Sequence, residues 1–142
     1  MMERMLQKIG RIREHLNLLN TLRADCPQRF ATDPVYRGAL LHYLYLLADS
    51  CIVVAEQLIK LRRLRLPQSY AEAFDILGEH GILPADFAYN FAAVAGFRNF
   101  LAHDYEKVDG MLICTEIMGR LEDVEIFLQH VENELARTSR QV

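Results

Sequence analysis

Arg98, Asn99, His103 and Tyr105 lie in the stretch Gly96 to Tyr105, where an otherwise apolar helical run turns polar. A guanidinium, a carboxamide, an imidazole and a phenol form a set suited to phosphodiester chemistry. A neutral His103 could take the proton of a ribose 2′-hydroxyl, whose oxygen then attacks the adjacent phosphate without a metal. Arg98 would stabilise charge on the phosphoryl oxygens, and Asn99 would orient His103 or the substrate. Such a reaction selects RNA, because DNA lacks the hydroxyl.

Helix geometry complicates this. Each residue turns by about 100°, so Asn99 and His103 share a face while Arg98 and His103 stand roughly 140° apart. They can act together if the helix kinks or unwinds near His103, or if a second copy completes the site across a two-fold axis; both together are expected. An isologous dimer would gather two Arg98 and two His103 in one cleft, supplying an acid as well as a base. On spacing alone the plainer alternative is preferred: Arg98 caps the helix end, His103 sits in a satisfied corner and Tyr105 fills the bundle. Metal binding has less support, since His15, His42, His80, His103 and His130 show no pair at ligand spacing and no carboxylate cluster completes a site. No cofactor is expected.

The elements that must position these groups read as helices throughout. Met2, Met5, Ile9, Ile12, Leu16, Leu19 and Leu22 make one apolar stripe over Glu3 to about Ala24, with a mostly basic opposite face and a stop at Asp25-Cys26-Pro27. Asp33-Pro34 reads as an N-cap followed by proline at the first helical position. The helix it opens carries two apolar stripes, one through Leu40, Leu44, Leu47, Cys51, Val54, Leu58 and Leu61, the other through Leu41, Ala48, Ile52, Ala55 and Ile59. A helix apolar on two sides must be covered on two sides, which places it at the centre of a bundle. His42 and Asp49 interrupt it and are expected to point outward or to satisfy each other or the backbone. Its end, Lys60 to Arg65, is the densest basic cluster, read as complementing the helix dipole in preference to binding phosphate.

Ser69-Tyr70-Ala71-Glu72 has the capping-box pattern and starts a short helix. From Pro84 a further helix runs through Phe87, Phe91, Val94 and Leu101 into the polar stretch, its small residues Ala92, Ala93, Ala95 and Gly96 suiting a tight helix contact. After the Asp109-Gly110 turn, the last helix pairs an apolar stripe from Ile113 to Leu135 with an acidic face. Residues 137–142 are expected to fray. The fold class is therefore all-α, a single-domain antiparallel bundle of four to five helices.

Composition sets limits on function. The chain has 142 residues, 51% of them hydrophobic, and a formal charge of -3, so one domain with a real core is expected and any RNA contact must be local. No apolar run reaches the roughly 18 residues of a membrane span, and the start lacks the apolar segment of a signal peptide. A cytoplasmic protein with no membrane and no DNA partner is expected. Cys26, Cys51 and Cys114 are widely spaced without a Cys-x-x-Cys pair, which argues against a disulfide framework; Cys51 reads as a small buried hydrophobe.

The landmarks Phe30-Ala31-Thr32-Asp33-Pro34, Leu66-Pro67-Gln68-Ser69-Tyr70, Gly81-Ile82-Leu83 and Gly96-Phe97-Arg98-Asn99 leading to His103 and Tyr105 resemble, in order, those of the HepT-like branch of HEPN domains. This resemblance covers nearly the whole chain and outweighs the plainer alternative. It implies a dimeric helical bundle, a ribonuclease toxin of a type VII-like toxin-antitoxin pair, with Arg98 and His103 as the active Arg-x4-His residues and Asn99 as the polar residue after the arginine. It also implies a small nucleotidyltransferase partner that attaches AMP to Tyr105, adding charge and bulk beside the cleft. A non-enzymatic nucleotide-binding or substrate-presenting module of that nucleotidyltransferase is the alternative.

Overall fold

The computed structural model describes residues 1–140, all of whose regular structure is helical. Helix α1 (Met2–Leu22) buries Met5, Ile9, Ile12, Leu16 and Leu19 against α3 (Pro34–Leu61), the longest helix at 28 residues. Both apolar stripes of α3 are buried apart from the half-buried Leu61 at its end, because α1 covers one side while α4 (Tyr70–Glu79) and α6 (Ala93–His103) cover others. By length and composition α3 is apolar enough to cross a bilayer; in the fold its apolar faces form the centre of the bundle. Asp33 caps it, accepting from the backbone N–H groups of Val35 and Tyr36, each at 3.1 Å.

Proline does not end the helical path where the sequence suggested. A 3-10 turn, Arg23–Asp25, leads into a single helical turn, α2 (Cys26–Arg29). Pro27 sits in its first turn, where the missing N–H would have no partner anyway.

The run from Pro84 into the polar stretch is likewise two helices, α5 (Ala85–Phe91) and α6, separated at Ala92. There the bonding tightens, with the Ala95 N–H donating to the Ala92 carbonyl at 3.1 Å. The break lets α5 lie on α4, with Phe91 edge-on to Phe74 at 5.4 Å between ring centroids, while α6 lies along α3. Gly96 does not serve a close contact, since a Cβ there would meet nothing within 4 Å. Close approaches are at Gly78, inside α4, where a Cβ would stand 2.8 Å from that of Ala88, and at Gly110, where it would stand 2.5 Å from the Phe30 ring.

The last helix, expected to be continuous, begins as α7 (Gly110–Leu112), widens to a π-helical turn over Ile113–Ile117, tightens at Met118–Arg120 and regularises as α8 (Leu121–Arg140). Arg137 to Arg140, expected to fray, are helical; the remainder of that tail, residues 141–142, lies outside the described residues. The basic face of α1 meets the acidic face of α8 through Arg13, which bridges Glu125 at 2.7 Å and Glu132 at 2.6 Å, and in the 3-10 turn just beyond α1 Arg23 pairs with Glu122 at 2.8 Å.

Charge pairing also explains much of the Lys60 to Arg65 cluster. Arg62 pairs with the buried Glu134 of α8, and Arg65 with Glu72 and Glu79 of α4, each at 2.8 Å. Ser69 accepts from the Glu72 N–H at 3.1 Å, as the capping pattern requires, whereas Glu72 reaches back to the Gln68 N–H at 3.1 Å and not to Ser69.

The cysteines correct the expectation most clearly. Cys26 and Cys114, separated by 88 residues, form a disulfide, and Cys51 alone is free and buried. No local motif announces this bond, because it depends on α2 and the π-helical turn meeting in three dimensions. Burial pushes the Cys51 thiol up to about 12, as befits a core side chain.

Candidate active site

Leu101 and Ala95 anchor α6 in the core, and its polar side chains follow from that rotation. Arg98 turns inward at the edge of α3, with its side chain 19% exposed. Its Nε donates to Asp49 Oδ1 at 3.0 Å and its Nη1 to Asn99 Oδ1 at 3.2 Å. The guanidinium carbon lies 5.3 Å from the ring centroid of Tyr45 and 5.2 Å from that of Tyr70. One arginine thus has a carboxylate, an amide and two aromatic rings around it, an arrangement that favours a planar cation over a lysine ammonium. The bond to Asp49 raises the Arg98 pKa beyond its ordinary value, against an opposing desolvation effect, with smaller charge contributions from Tyr45, Asp49 and Tyr70.

Asn99 Oδ1 is thus engaged by Arg98, and among the described residues no hydrogen bond joins Asn99 to His103. Asp49, expected to point outward or to pair with His42, is instead the partner of Arg98. Its signal in the sequence was a carboxylate on an apolar helix, but its partner lies 49 residues away. Tyr45 and Tyr70 carried no signal of their own: one lies beside an apolar stripe of α3, the other in the capping box of α4.

His103 is the last residue of α6 and is exposed. The helix unwinds immediately after it. Asp104 donates its N–H to the Phe100 carbonyl at 2.7 Å and then leaves the helical region, with φ -125° and ψ 24°. Tyr105–Lys107 form a 3-10 turn. Among the described residues neither His103 nor Tyr105 makes a side-chain hydrogen bond, and Tyr105 is 50% exposed.

Tyr105 stands where three cavities meet. One, of about 320 Å³, opens beside His103 and Lys107. A second, of about 450 Å³, lies between α3 and α6 and is bordered by His42, Tyr45 and Tyr105. The third, of about 760 Å³, runs past Arg37, Glu106 and the Cys26–Cys114 disulfide. His42, read from the sequence as a bland interruption, thus shares a cavity with the tyrosine. Among the described residues no three His, Cys, Asp or Glu side chains gather as a metal-binding group.

An all-helical bundle whose polar arginine-to-tyrosine stretch runs off the end of a helix packed beside the central one fits the HEPN-like class. A family model described as ribonuclease HepT-like matches residues 5–131, and the chain belongs to that family. It is similar to the mRNA nuclease HepT of Shewanella oneidensis, 23% identical over 129 residues that cover 91% of this chain and 96% of that one. It is also similar to the tRNA nuclease HepT of Aphanizomenon flos-aquae, 25% identical over 135 residues, 94% of this chain and 88% of that one. Among solved structures, a tri-AMPylated Shewanella oneidensis HEPN toxin in complex with MNT antitoxin superposes with a TM-score of 0.81 at 22% identity, covering 91% of this chain and 96% of that chain.

Proposed function

We propose that this protein is a toxin that cuts RNA without a metal, in a cleft shared by two copies of the chain in the cytoplasm, and that a small nucleotidyltransferase antitoxin silences it by transferring AMP to Tyr105. The observation that carries the reading is the setting of Arg98, a guanidinium pre-positioned by Asp49, Tyr45 and Tyr70 on the same helix as an exposed, unpaired His103. Pre-positioned charge at the phosphate avoids reorganisation during reaction. The names of the family and of its relatives support the same reaction class.

In this reaction His103 accepts the proton of the ribose 2′-hydroxyl, the 2′-oxygen bonds to phosphorus, and the bond from phosphorus to the 5′-oxygen breaks. His103 of the partner subunit, in its charged form, gives a proton to the departing 5′-oxygen. The products are a 2′,3′-cyclic phosphate and a 5′-hydroxyl. Arg98 holds the phosphoryl oxygens throughout, and Asn99 steadies Arg98. For silencing, the Tyr105 oxygen bonds to the α-phosphorus of ATP, pyrophosphate leaves, and the phenolic proton passes to solvent or to a base of the nucleotidyltransferase. The exposure of Tyr105 suits an acceptor, and the modified toxin bound to MNT antitoxin supports this part of the reading.

The test is cleavage of RNA by the purified protein in EDTA, with end-group analysis for the cyclic phosphate. Undiminished cleavage by His103→Ala would remove His103 from the mechanism. Incubation with the nucleotidyltransferase and ATP should add AMP-sized mass, and an unchanged addition in Tyr105→Phe would place the acceptor elsewhere.

A further inference from the structure

The cavity of about 450 Å³ between α3 and α6 has no role in the chemistry above. Rings border it, His42 and Tyr45 from α3 and Tyr105 from the turn beyond α6, while Gly38 and Ala102 leave the space between them open. Tyr45 also lies against the Arg98 guanidinium, whose carbon is 5.3 Å from the ring centroid. One ring is thus shared between the cavity and the surroundings of the cation assigned to phosphate, although Arg98 does not line the cavity itself.

We infer that this cavity is a nucleoside subsite, receiving the base and sugar that flank the phosphate held by Arg98. The inference rests on the ribonuclease reading and names where that substrate sits. The volume falls within the roughly 300–1,000 Å³ usual for small-ligand sites. Proteins that bind unpaired nucleotides do so by stacking bases on aromatic side chains beside a cation for the backbone. His42 adds a ring nitrogen able to donate or accept a hydrogen bond at the base edge or sugar. The same geometry gives the modification at Tyr105 a specific effect. An adenylyl group on that hydroxyl carries its own nucleoside to the wall of the subsite, where it competes with RNA for the same space.

Gly38 provides a test that does not endanger the fold. It lies inside α3, and a Cβ there would meet no atom within 4 Å, so Gly38→Leu projects into the cavity while replacing a poor helix former. Gly10, in α1, is equally open and lines none of the three cavities that meet at Tyr105, so Gly10→Leu serves as the matched control. Both variants should melt at or above the wild-type temperature. RNA cleavage, and binding of adenosine 5′-monophosphate followed by isothermal titration calorimetry, should fall by at least about tenfold in Gly38→Leu, the equivalent of one lost base stack, and should be unchanged in Gly10→Leu.

If the wild type cuts RNA and folded Gly38→Leu cuts it equally well, the subsite is refuted while the ribonuclease reading stands. If the wild type cuts no RNA but binds the nucleotide in a Gly38→Leu-sensitive way, the subsite stands and the ribonuclease reading falls. Nucleotide binding that is absent, or undisturbed by Gly38→Leu, overturns the subsite.

Discussion

Arg98 and His103 sit on one helix in opposite surroundings. Arg98 is half-buried, hydrogen-bonded to Asp49 and Asn99 and flanked by the rings of Tyr45 and Tyr70. His103 ends the helix in the open, followed by a 3-10 turn that presents Tyr105. The first half is assembled by long-range packing and is ready as it stands. The second half is held by its own backbone and needs something else to close it, which under the proposed function is RNA and a second copy of the chain. A charge-stabilising group gains from rigidity, because it must not reorganise as the reaction proceeds. A proton-transferring group and a modification acceptor must be reachable.

The largest effect should come from the open half. His103→Ala is expected to lower RNA cleavage by at least about 10²-fold while leaving the melting temperature unchanged, because the side chain is exposed and unpaired. A clear drop in melting temperature, measured by calorimetry, would show that His103 belongs to the built half after all. Next is the anchor behind Tyr105. The Cys26–Cys114 bond closes a span of 88 residues, so Cys26→Ser should reduce the stability of the oxidised protein by up to about 4.6 kcal/mol in the chain-entropy model. Urea unfolding with and without reductant reads this directly, and an equal stability in both conditions would remove the bond as an anchor.

Smaller changes probe the built half. Arg98→Lys retains the charge but loses the planar fork and the aromatic contacts, and should reduce both cleavage, by about tenfold, and stability, by about 1 kcal/mol. A loss in cleavage alone would show that the two tyrosines do not hold the fold. The smallest effect is expected for Asp49→Asn, which keeps an acceptor for Arg98 while removing its countercharge. Stability should fall by no more than about 1 kcal/mol, as for other partly exposed ion pairs, and a double-mutant cycle with Arg98→Lys should reveal the coupling. Additivity in that cycle would mean that Asp49 and Arg98 act independently.

Much of the fold was legible because amphipathic helices announce themselves by period. The stripes of α1 and α3 and the caps at Asp33 and Ser69 are local patterns, set by residues within one or two turns. Breaks within helices were less visible: nothing in the composition around Ala92 separates α5 from α6, and the widened turn at Ile113–Ile117 follows an ordinary apolar spacing. At the site, Arg98, His103 and Tyr105 were legible as a motif and by family resemblance. The helix stays regular from Arg98 through His103 and unwinds only at Asp104, so the kink expected to bring Arg98 round to His103 within one chain does not lie between them.

The sequence by itself determined that the chain is helical, that α3 is central and that the polar stretch ends a helix. Each of these depends on neighbours along one helix, where periodicity and capping act. Tertiary structure alone decided that Asp49, Tyr45 and Tyr70 surround Arg98, that His42 and Tyr105 border one cavity, and that Cys26 meets Cys114. Those contacts join residues far apart in the chain, and their geometry comes from how whole helices pack, which no local spacing encodes.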